Sequence, residues 1–290
     1  MTDFFPGFAQ QRIAAHGIEI NCRVGGEGPP TLLVHGYPQS HVCWHKLAPA
    51  LARKFSLVIP DLPGYGDSGF PEPDAANRVY SKRNMATIMV EVMKALGHRR
   101  FAVVGHDRGA RVSYRLALDR PELVERLALL DIIPTIETWE AMTGPVAITE
   151  FHWPFLAQTG DLPETLIQRD PDAFLRYLMA RWAGHVRRID SRALAEYLRC
   201  FRNHTVIRAS CADYRAGATT DLADDEADRK AGKRIACPLL VLWGGGRKSD
   251  LLPIWRRWAD DVRGEGLECG HFLQEEMPEE TAAKLLAFLA

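Results

Sequence analysis

Short apolar segments alternate with helical patterns along the first half of the chain. Residues 31–35, 55–60 and 101–104 are apolar runs of the kind that forms strands buried on both faces of a sheet. Residues 81–96 carry apolar side chains at helical spacing and are followed by Gly97, a residue type that commonly ends helices. This alternation predicts a mostly parallel sheet with helices on both faces.

The same patterns predict elements on either side of this region. Residues 18–24 follow the turn at His16-Gly17 and are expected to form an N-terminal hairpin. Strands are expected at residues 126–131, 238–243 and 266–269, and a closing helix at residues 279–289.

The strand pattern stops in the middle of the chain. Residues 135–232 are helical in pattern and rich in aromatic side chains, which predicts a helical cap inserted into a core made of residues 1–134 and 233–290. The last part of this segment, residues 221–233, is so rich in charge that we expect an exposed return to the core.

The overall composition is typical of a soluble enzyme. The chain has 290 residues, and 36 Lys and Arg against 37 Asp and Glu leave a formal net charge of -1, so the charge balance favours neither nucleic acid nor membrane as a partner. The six cysteines form no C-x-x-C pair, and we expect reduced thiols in a cytoplasmic protein. No secretory signal pattern or membrane-length apolar run is present in the sequence.

One motif joins a predicted strand to a predicted helix: Val103-Val104-Gly105-His106-Asp107-Arg108-Gly109. Glycines stand two residues before and two residues after Asp107, which is the frame of a nucleophile elbow with aspartate in place of the usual serine. Small residues are needed there because the elbow strains the backbone to lift one side chain above the sheet. The alternative is an ordinary turn with an N-cap aspartate.

An aspartate nucleophile changes the available chemistry. A carboxylate is a poor acyl nucleophile because the product would be an anhydride, but it can displace a leaving group from saturated carbon and form an ester. The expected electrophile is therefore an alkyl halide, a halo acid or an epoxide.

The histidine of a catalytic triad should follow the nucleophile and the acid in the chain. His271 is the candidate because it lies between the last predicted strand and the last predicted helix. We interpret His35, before the predicted oxyanion loop, and His106, inside the elbow, as structural residues.

Two aspartates are candidates for the acid. Asp131 directly ends the strand that follows the elbow, whereas Asp250 lies in the polar loop 244–250 after the strand at 238–243. We favour Asp131 because its position is better determined, and Asp250 remains the alternative.

Backbone and side-chain groups near Asp107 predict how a substrate is held. The N–H groups of Tyr37 and Arg108 are the expected oxyanion hole. Arg108 and Arg111 lie beside the nucleophile and one helical turn beyond it, where two guanidinium groups would suit a carboxylate. Pairing of both arginines with nearby acids, Asp119 among them, is the alternative.

The predicted cap offers donors for a leaving group. His152, Trp153 and Tyr214 each carry one polar N–H or O–H on an apolar ring, and together they form a candidate halide site. Each of them taken alone is more often a packing residue.

The chain resembles the fluoroacetate (haloacetate) dehalogenases of the α/β-hydrolase superfamily. The resemblance covers the whole chain and rests on residues 35–39, 61–66, 105–115, 152–153, 213–217 and 270–272. It implies an α/β-hydrolase fold, a mostly parallel sheet with an inserted helical cap, and hydrolysis of a short 2-halo acid without cofactor or metal.

The resemblance also implies roles for single residues. Asp107 would be the nucleophile, His271 the base and Asp131 its orienting acid; Arg108 and Arg111 would bind the carboxylate. His152, Trp153 and Tyr214 would bind the halide, and Trp182 would line the pocket. Members of this family are typically homodimers.

Two other functions remain open at this point. An epoxide hydrolase would use the same aspartate and histidine, with cap tyrosines such as Tyr177, Tyr197 and Tyr214 protonating the epoxide oxygen. A non-catalytic receptor for small molecules is disfavoured by the complete set of Asp107, His271 and an acid.

Overall fold

A computed structural model describes residues 3–245 and 250–290 of the chain. Within these residues, eight strands form one sheet in the order β1-β2-β4-β3-β5-β6-β7-β8. The strands are β1 (Ala9–Ala15), β2 (Ile18–Gly25), β3 (Pro30–Val34), β4 (Ser56–Pro60), β5 (Phe101–His106), β6 (Val124–Leu130), β7 (Leu239–Gly244) and β8 (Val262–Leu267). Strand β2 runs antiparallel to β1 and β4, and the other neighbours are parallel.

Helices connect these strands. They are α1 (Ala48–Leu51), α2 (Lys82–Ala95), α3 (Arg108–Asp119), α4 (Thr135–Glu140), α5 (Gly144–Thr149), α6 (His152–Leu156), α7 (Leu162–Arg169), α8 (Pro171–Trp182), α9 (Ser191–Phe201), α10 (His204–Ala218), α11 (Thr220–Lys230), α12 (Leu252–Trp255), α13 (Leu273–Glu276) and α14 (Pro278–Leu289). Short 3₁₀ helices occur at His41–Trp44, Arg78–Tyr80 and Val186–Arg188. Among the described residues, no helix combines the length and the apolar character needed to cross a bilayer.

The predicted mostly parallel sheet is confirmed, and its central strands are buried on both faces. All side chains of β5 and β7 are buried, as the continuous apolar runs predicted. The last strand is the exception, because β8 begins at Val262 rather than at residue 266. An edge strand is half exposed, so its side chains need not be apolar. The sequence Val-Arg-Gly-Glu-Gly-Leu therefore lacks the apolar run by which the other strands were recognised.

The strand register brings the carboxyl ends of four strands to one edge of the sheet. Val34 of β3 pairs with Gly105 of β5, His106 pairs with Leu130 of β6, and Leu130 pairs with Leu242 of β7. The loops that follow these strands therefore meet at one place, which is where open α/β sheets bind ligands.

The turn after β5 has the strained backbone that the elbow motif predicts. Asp107 has a φ of 49°, in the left-handed region that non-glycine residues rarely adopt. A Cβ atom at Gly109 would lie 2.2 Å from the His35 carbonyl oxygen, and one at Gly105 would lie 2.4 Å from Ser113 Oγ. Side chains are thus excluded at both glycines because strand, turn and helix approach so closely.

Helices α4 to α11 occupy the chain between β6 and β7, in the segment where the strand pattern stops. The prediction of an exposed return at residues 221–233 is right only in part: many residues of this stretch, most of which forms α11, are exposed, but the acids Asp221, Asp225 and Asp228 are buried. They are buried because cations on the core helices face them. Arg115 of α3 binds Asp225 at 2.9 Å and also binds Asp228.

We predict that the buried pairs of Arg115 stabilise the fold far more than a surface pair does. The substitution Arg115→Met leaves buried Asp225 without a cation and leaves Asp228 with Lys233 alone, 3.6 Å away, so it should lower the free energy of unfolding by about 3–5 kcal/mol. Its control is Arg120→Met, which removes an exposed pair with Glu122 and should cost less than about 1 kcal/mol. Denaturant unfolding measures both, and equal losses would contradict the assignment.

Candidate active site

A cavity of about 380 Å³ lies at the carboxyl edge of the sheet, beneath the helices between β6 and β7. Several predicted site residues line it: Asp107, Arg111, Asp131, His152, Trp153, Trp182 and His271. Apolar side chains complete the wall: Ile132, Ile133, Val146, Leu251 and Ile254. Polar side chains of the helical segment also line it, namely Thr138, Thr149 and Glu150, whereas Arg108 and Tyr214 are not among the lining residues.

The carboxylate of Asp107 is held by backbone N–H groups. Tyr37 N donates to Asp107 Oδ1 at 2.7 Å, and the backbone N–H of Arg108 donates to the same carboxylate. Burial by itself raises the pKa of Asp107, but the neighbouring His271 and Arg108 side chains and the Arg108 N–H lower it below its usual value. The side chain is therefore ionised at neutral pH, as a nucleophile must be.

His271 lies between two aspartates. Its Nδ1 is 2.6 Å from Asp131 Oδ2, and its Nε2 is 3.8 Å from Asp107 Oδ2. The other oxygen of Asp131 accepts a hydrogen bond from Gly244 N at 2.9 Å, and the residue has a φ of 58° that turns it toward the histidine. This arrangement leaves His271 Nε2 on the side of Asp107, where a water could be activated.

Asp250 does not approach His271. It is exposed, and its Oδ1 accepts the N–H of Leu252 at the start of α12. Residues 246–249 of the polar loop 244–250 lie outside the described residues. The geometry thus favours Asp131 as the partner of the histidine.

The two arginines of the predicted carboxylate clamp differ in their partners. Arg108 is fully buried and pairs with Asp213 of α10, with Nη2 2.6 Å from Oδ1 and Nε 3.1 Å from Oδ2. Lys82 of α2 binds the same aspartate and lies 3.3 Å from Asp221. Desolvation lowers the pKa of Arg108, but Asp213 more than offsets this and raises it, so the positive charge is kept and largely balanced.

Arg111 has no carboxylate within ion-pair distance among the described residues. Its Nη1 donates to the Ile133 carbonyl at 3.0 Å, its Nη2 donates to Thr138 Oγ1 at 3.3 Å, and its Nε is buried without a partner. The guanidinium lies over the Trp153 ring at 4.4 Å. Desolvation and the nearby Arg108 lower the pKa of Arg111, as expected for a buried cation that lacks a counter-ion.

The structure brings His152, Trp153 and Tyr214 into one aromatic cluster. The ring of Tyr214 lies 5.6 Å from that of His152 and 5.5 Å from that of Trp153. Trp182 packs against His152 at 4.6 Å and lies 5.7 Å from His271. Burial lowers the pKa of His152 to about 3, so the ring is neutral and carries one N–H.

The other tyrosines considered for this site lie elsewhere. The side chain of Tyr177 is 53% exposed and packs against Phe151. The hydroxyl of Tyr197 donates to Glu275. Neither lines the cavity.

His35 is structural, as interpreted from the sequence, because its Nε2 accepts the N–H of Leu62 at 3.0 Å and its Nδ1 bonds to the Gly36 carbonyl. Asp213 belongs to the stretch 213–217 on which the resemblance rests, but the sequence assigned it no role, and Lys82 was not singled out at all. Nothing in the sequence around Lys82 indicates that this lysine is buried, because its partner Asp213 lies 131 positions away in the chain.

Comparison with known proteins identifies the fold family and similar enzymes. Residues 29–276 match a family described by the alpha/beta hydrolase fold. The chain is 41% identical to a fluoroacetate dehalogenase from Burkholderia sp over 99% of this chain and 95% of that protein. It is 34% identical to a soluble epoxide hydrolase from Corynebacterium sp. (strain C12), over 95% of each.

A crystal structure of a protein from Nostoc sp PCC 7120, described as an alpha/beta hydrolase, superposes with a TM-score of 0.95. The two chains are 50% identical, and the superposition covers 98% of each.

Proposed function

The chain belongs to the α/β-hydrolase family, and we propose that it hydrolyses the carbon–halogen bond of a short 2-halo carboxylic acid, including fluoroacetate. The observation that carries this proposal is that one cavity is lined both by an ionised Asp107 and by Arg111, a buried cation with no carboxylate within ion-pair distance among the described residues. A haloacetate would supply both the missing carboxylate and a saturated carbon for Asp107 to attack.

In the first step, Asp107 Oδ2 attacks the carbon that bears the halogen. Oδ1 is engaged by Tyr37 N, so Oδ2 is the oxygen left to form the new carbon–oxygen bond. The carbon–halogen bond breaks, and the halide leaves with the bonding electron pair. The product of this step is an ester between Asp107 and the acid.

In the second step, a water attacks the carbonyl carbon of this ester. His271 Nε2 takes the proton of the water, and Asp131 stabilises the resulting imidazolium through Nδ1. The N–H groups of Tyr37 and Arg108 hold the negative oxygen of the tetrahedral intermediate, and one such donor is worth about 3–4 kcal/mol. The ester bond then breaks, the hydroxy acid leaves with an oxygen from Asp107 and takes the proton back from His271, and the second proton of the water leaves the Asp107 carboxyl for solvent, which restores the carboxylate.

The charges of the two arginines suggest a division of roles. Arg108 is balanced by Asp213, so its buried and unpartnered Nη1 can orient a carboxylate without adding much net attraction. Arg111 supplies the uncompensated charge. A neutral haloalkane would leave that charge buried and unpaired, which is costly.

The similar Burkholderia protein supports fluoroacetate as a substrate. Fluoride is strongly hydrated, so it leaves only where donors replace its water shell. The indole N–H of Trp153, the ring N–H of His152 and the hydroxyl of Tyr214 are the donors that we assign to this purpose.

An epoxide hydrolase remains the second candidate because the Corynebacterium relative carries that activity. The arrangement of tyrosines favours it less, since Tyr177 and Tyr197 point away from the cavity and leave Tyr214 as the cap tyrosine near Asp107. An epoxide without a carboxylate would also leave Arg111 unpaired.

We predict that fluoroacetate and chloroacetate release halide and yield glycolate, whereas styrene oxide yields little diol. Ion-selective electrodes for the halides and chromatography for the diol measure the three reactions. Rapid diol formation without halide release would identify an epoxide hydrolase. Binding of all three compounds without any turnover would point to a receptor.

We predict that Asp131→Asn lowers turnover of haloacetate by about three to four orders of magnitude, because an amide cannot stabilise the histidine cation and favours the wrong tautomer. Asp250→Asn is the matched control and should retain nearly full activity, since Asp250 is exposed and its side chain accepts the N–H of Leu252. Steady-state halide release measures both. A large loss in the Asp250 variant alone would assign the acid to the loop after β7.

We predict that Trp153→Phe and Tyr214→Phe slow fluoroacetate more than chloroacetate. Hydrogen bonds to charged groups are worth about 1.5–3 kcal/mol each, so each lost donor should cost roughly tenfold to hundredfold on fluoride. Chloride leaves more readily and depends on the donors less. Tyr177→Phe is the control, because this tyrosine is exposed. Equal losses on both substrates would show that the rings only shape the cavity.

A further inference from the structure

His106, the residue before the nucleophile, does not line the cavity and contacts both the backbone and the ring of His271. Its Nε2 is 2.8 Å from the backbone carbonyl oxygen of His271, and the two rings lie 4.6 Å apart. On its other side, His106 Nδ1 is 3.1 Å from the side-chain Nε2 of Gln274. The sequence suggested only a packing role, because nothing in the motif shows which backbone group a buried histidine meets.

The hydrogen bonds determine which nitrogen of His106 carries the proton. A backbone carbonyl can only accept, so Nε2 must be protonated. In the neutral ring Nδ1 is then an acceptor and requires a donor, which is the amide of Gln274. The same amide nitrogen donates to Gln39 Oε1 at 3.0 Å, which fixes its orientation.

His106 stays neutral next to a residue that becomes charged. Burial and the neighbouring His271 lower the pKa of His106 to about 3. A second cation at 4.6 Å would oppose protonation of His271 and so weaken it as a base.

The other hydrogen bonds of the loop at residues 270–272 involve backbone groups that His106 does not contact. The N–H of His271 donates to the Trp182 carbonyl at 2.9 Å. Glu276 accepts the N–H groups of Gly270 and Phe272 at 3.3 and 3.2 Å. These contacts hold N–H groups, whereas the bond from His106 holds the carbonyl of the histidine itself.

The geometry points to His106 and Gln274 as positioning residues for His271. They fix the position of this base through its backbone carbonyl, and they therefore act on hydrolysis of the ester rather than on its formation. This inference rests on the proposed function for its kinetic consequence, since formation of the ester requires Asp107 and not a base. The tautomer of His106 does not depend on the substrate.

The kinetic test separates the two steps with chloroacetate in single turnover. In His106→Phe, the burst of chloride should be little changed, while decay of the Asp107 ester, followed by intact-protein mass spectrometry, slows by roughly tenfold to hundredfold. His106→Gln retains a donor near the position of Nε2 and should restore part of the decay rate. Gln274→Met should slow decay in the same direction but less.

His45→Phe is the matched control, because His45 also bonds a backbone carbonyl, that of Val42, at 2.8 Å but lies away from the cavity. It should leave both rates unchanged. Equal slowing of both steps in His106→Phe, or the same decay rate in the Phe and Gln variants, would overturn the inference.

A second measurement is independent of activity. Nitrogen-15 NMR of the histidine rings in the native protein at neutral pH should show His106 protonated at Nε2 and unprotonated at Nδ1. The opposite tautomer or a doubly protonated ring would overturn the inference even if Phe variants fail to fold. If the native protein forms no ester with chloroacetate while the tautomer is as expected, the proposed function fails and the placement of His106 stands.

Discussion

The left-handed backbone at Asp107 is the constraint on which the candidate site depends. A non-glycine residue held in a sparsely populated conformation costs about 1–3 kcal/mol, and it persists only where the surroundings enforce it. Here a buried strand precedes the turn, and Gly36 and Gly109 let neighbouring backbone approach to distances that a Cβ atom would prevent. The result is a carboxylate raised above the sheet and held by two backbone N–H groups.

Charge balance around this carboxylate links the helical segment to the site. Arg108 of α3 and Lys82 of α2 bind Asp213 of α10, so these buried cations fix α10 beside the nucleophile. Arg111, one turn further along α3, has only neutral partners among the described residues. One arginine is thus used largely for docking, and the other keeps a charge that an anionic substrate would neutralise.

The sequence predicted the sheet and the elbow because each has a local signal, and several of the candidate residues that it marked line one cavity. Buried parallel strands read as apolar runs, and the spacing of glycines around Asp107 marks the turn. The sequence could not predict the burial of the three aspartates on α11, the pairing of Arg108 with Asp213 or the contact from His106 to His271. These depend on residues that are distant in the chain, and a charged segment looks exposed until its cations are known.

The central claim is that Asp107 itself is alkylated and then hydrolysed at its own carbonyl carbon. Single turnover of chloroacetate in heavy-oxygen water tests it most directly, with the label located by peptide mass spectrometry and in the glycolate. The account predicts that the first label enters the Asp107 side chain and that the first glycolate carries none, because its new oxygen comes from the carboxylate. Label in the first glycolate with unlabelled Asp107 would mean direct attack by water and would contradict the account.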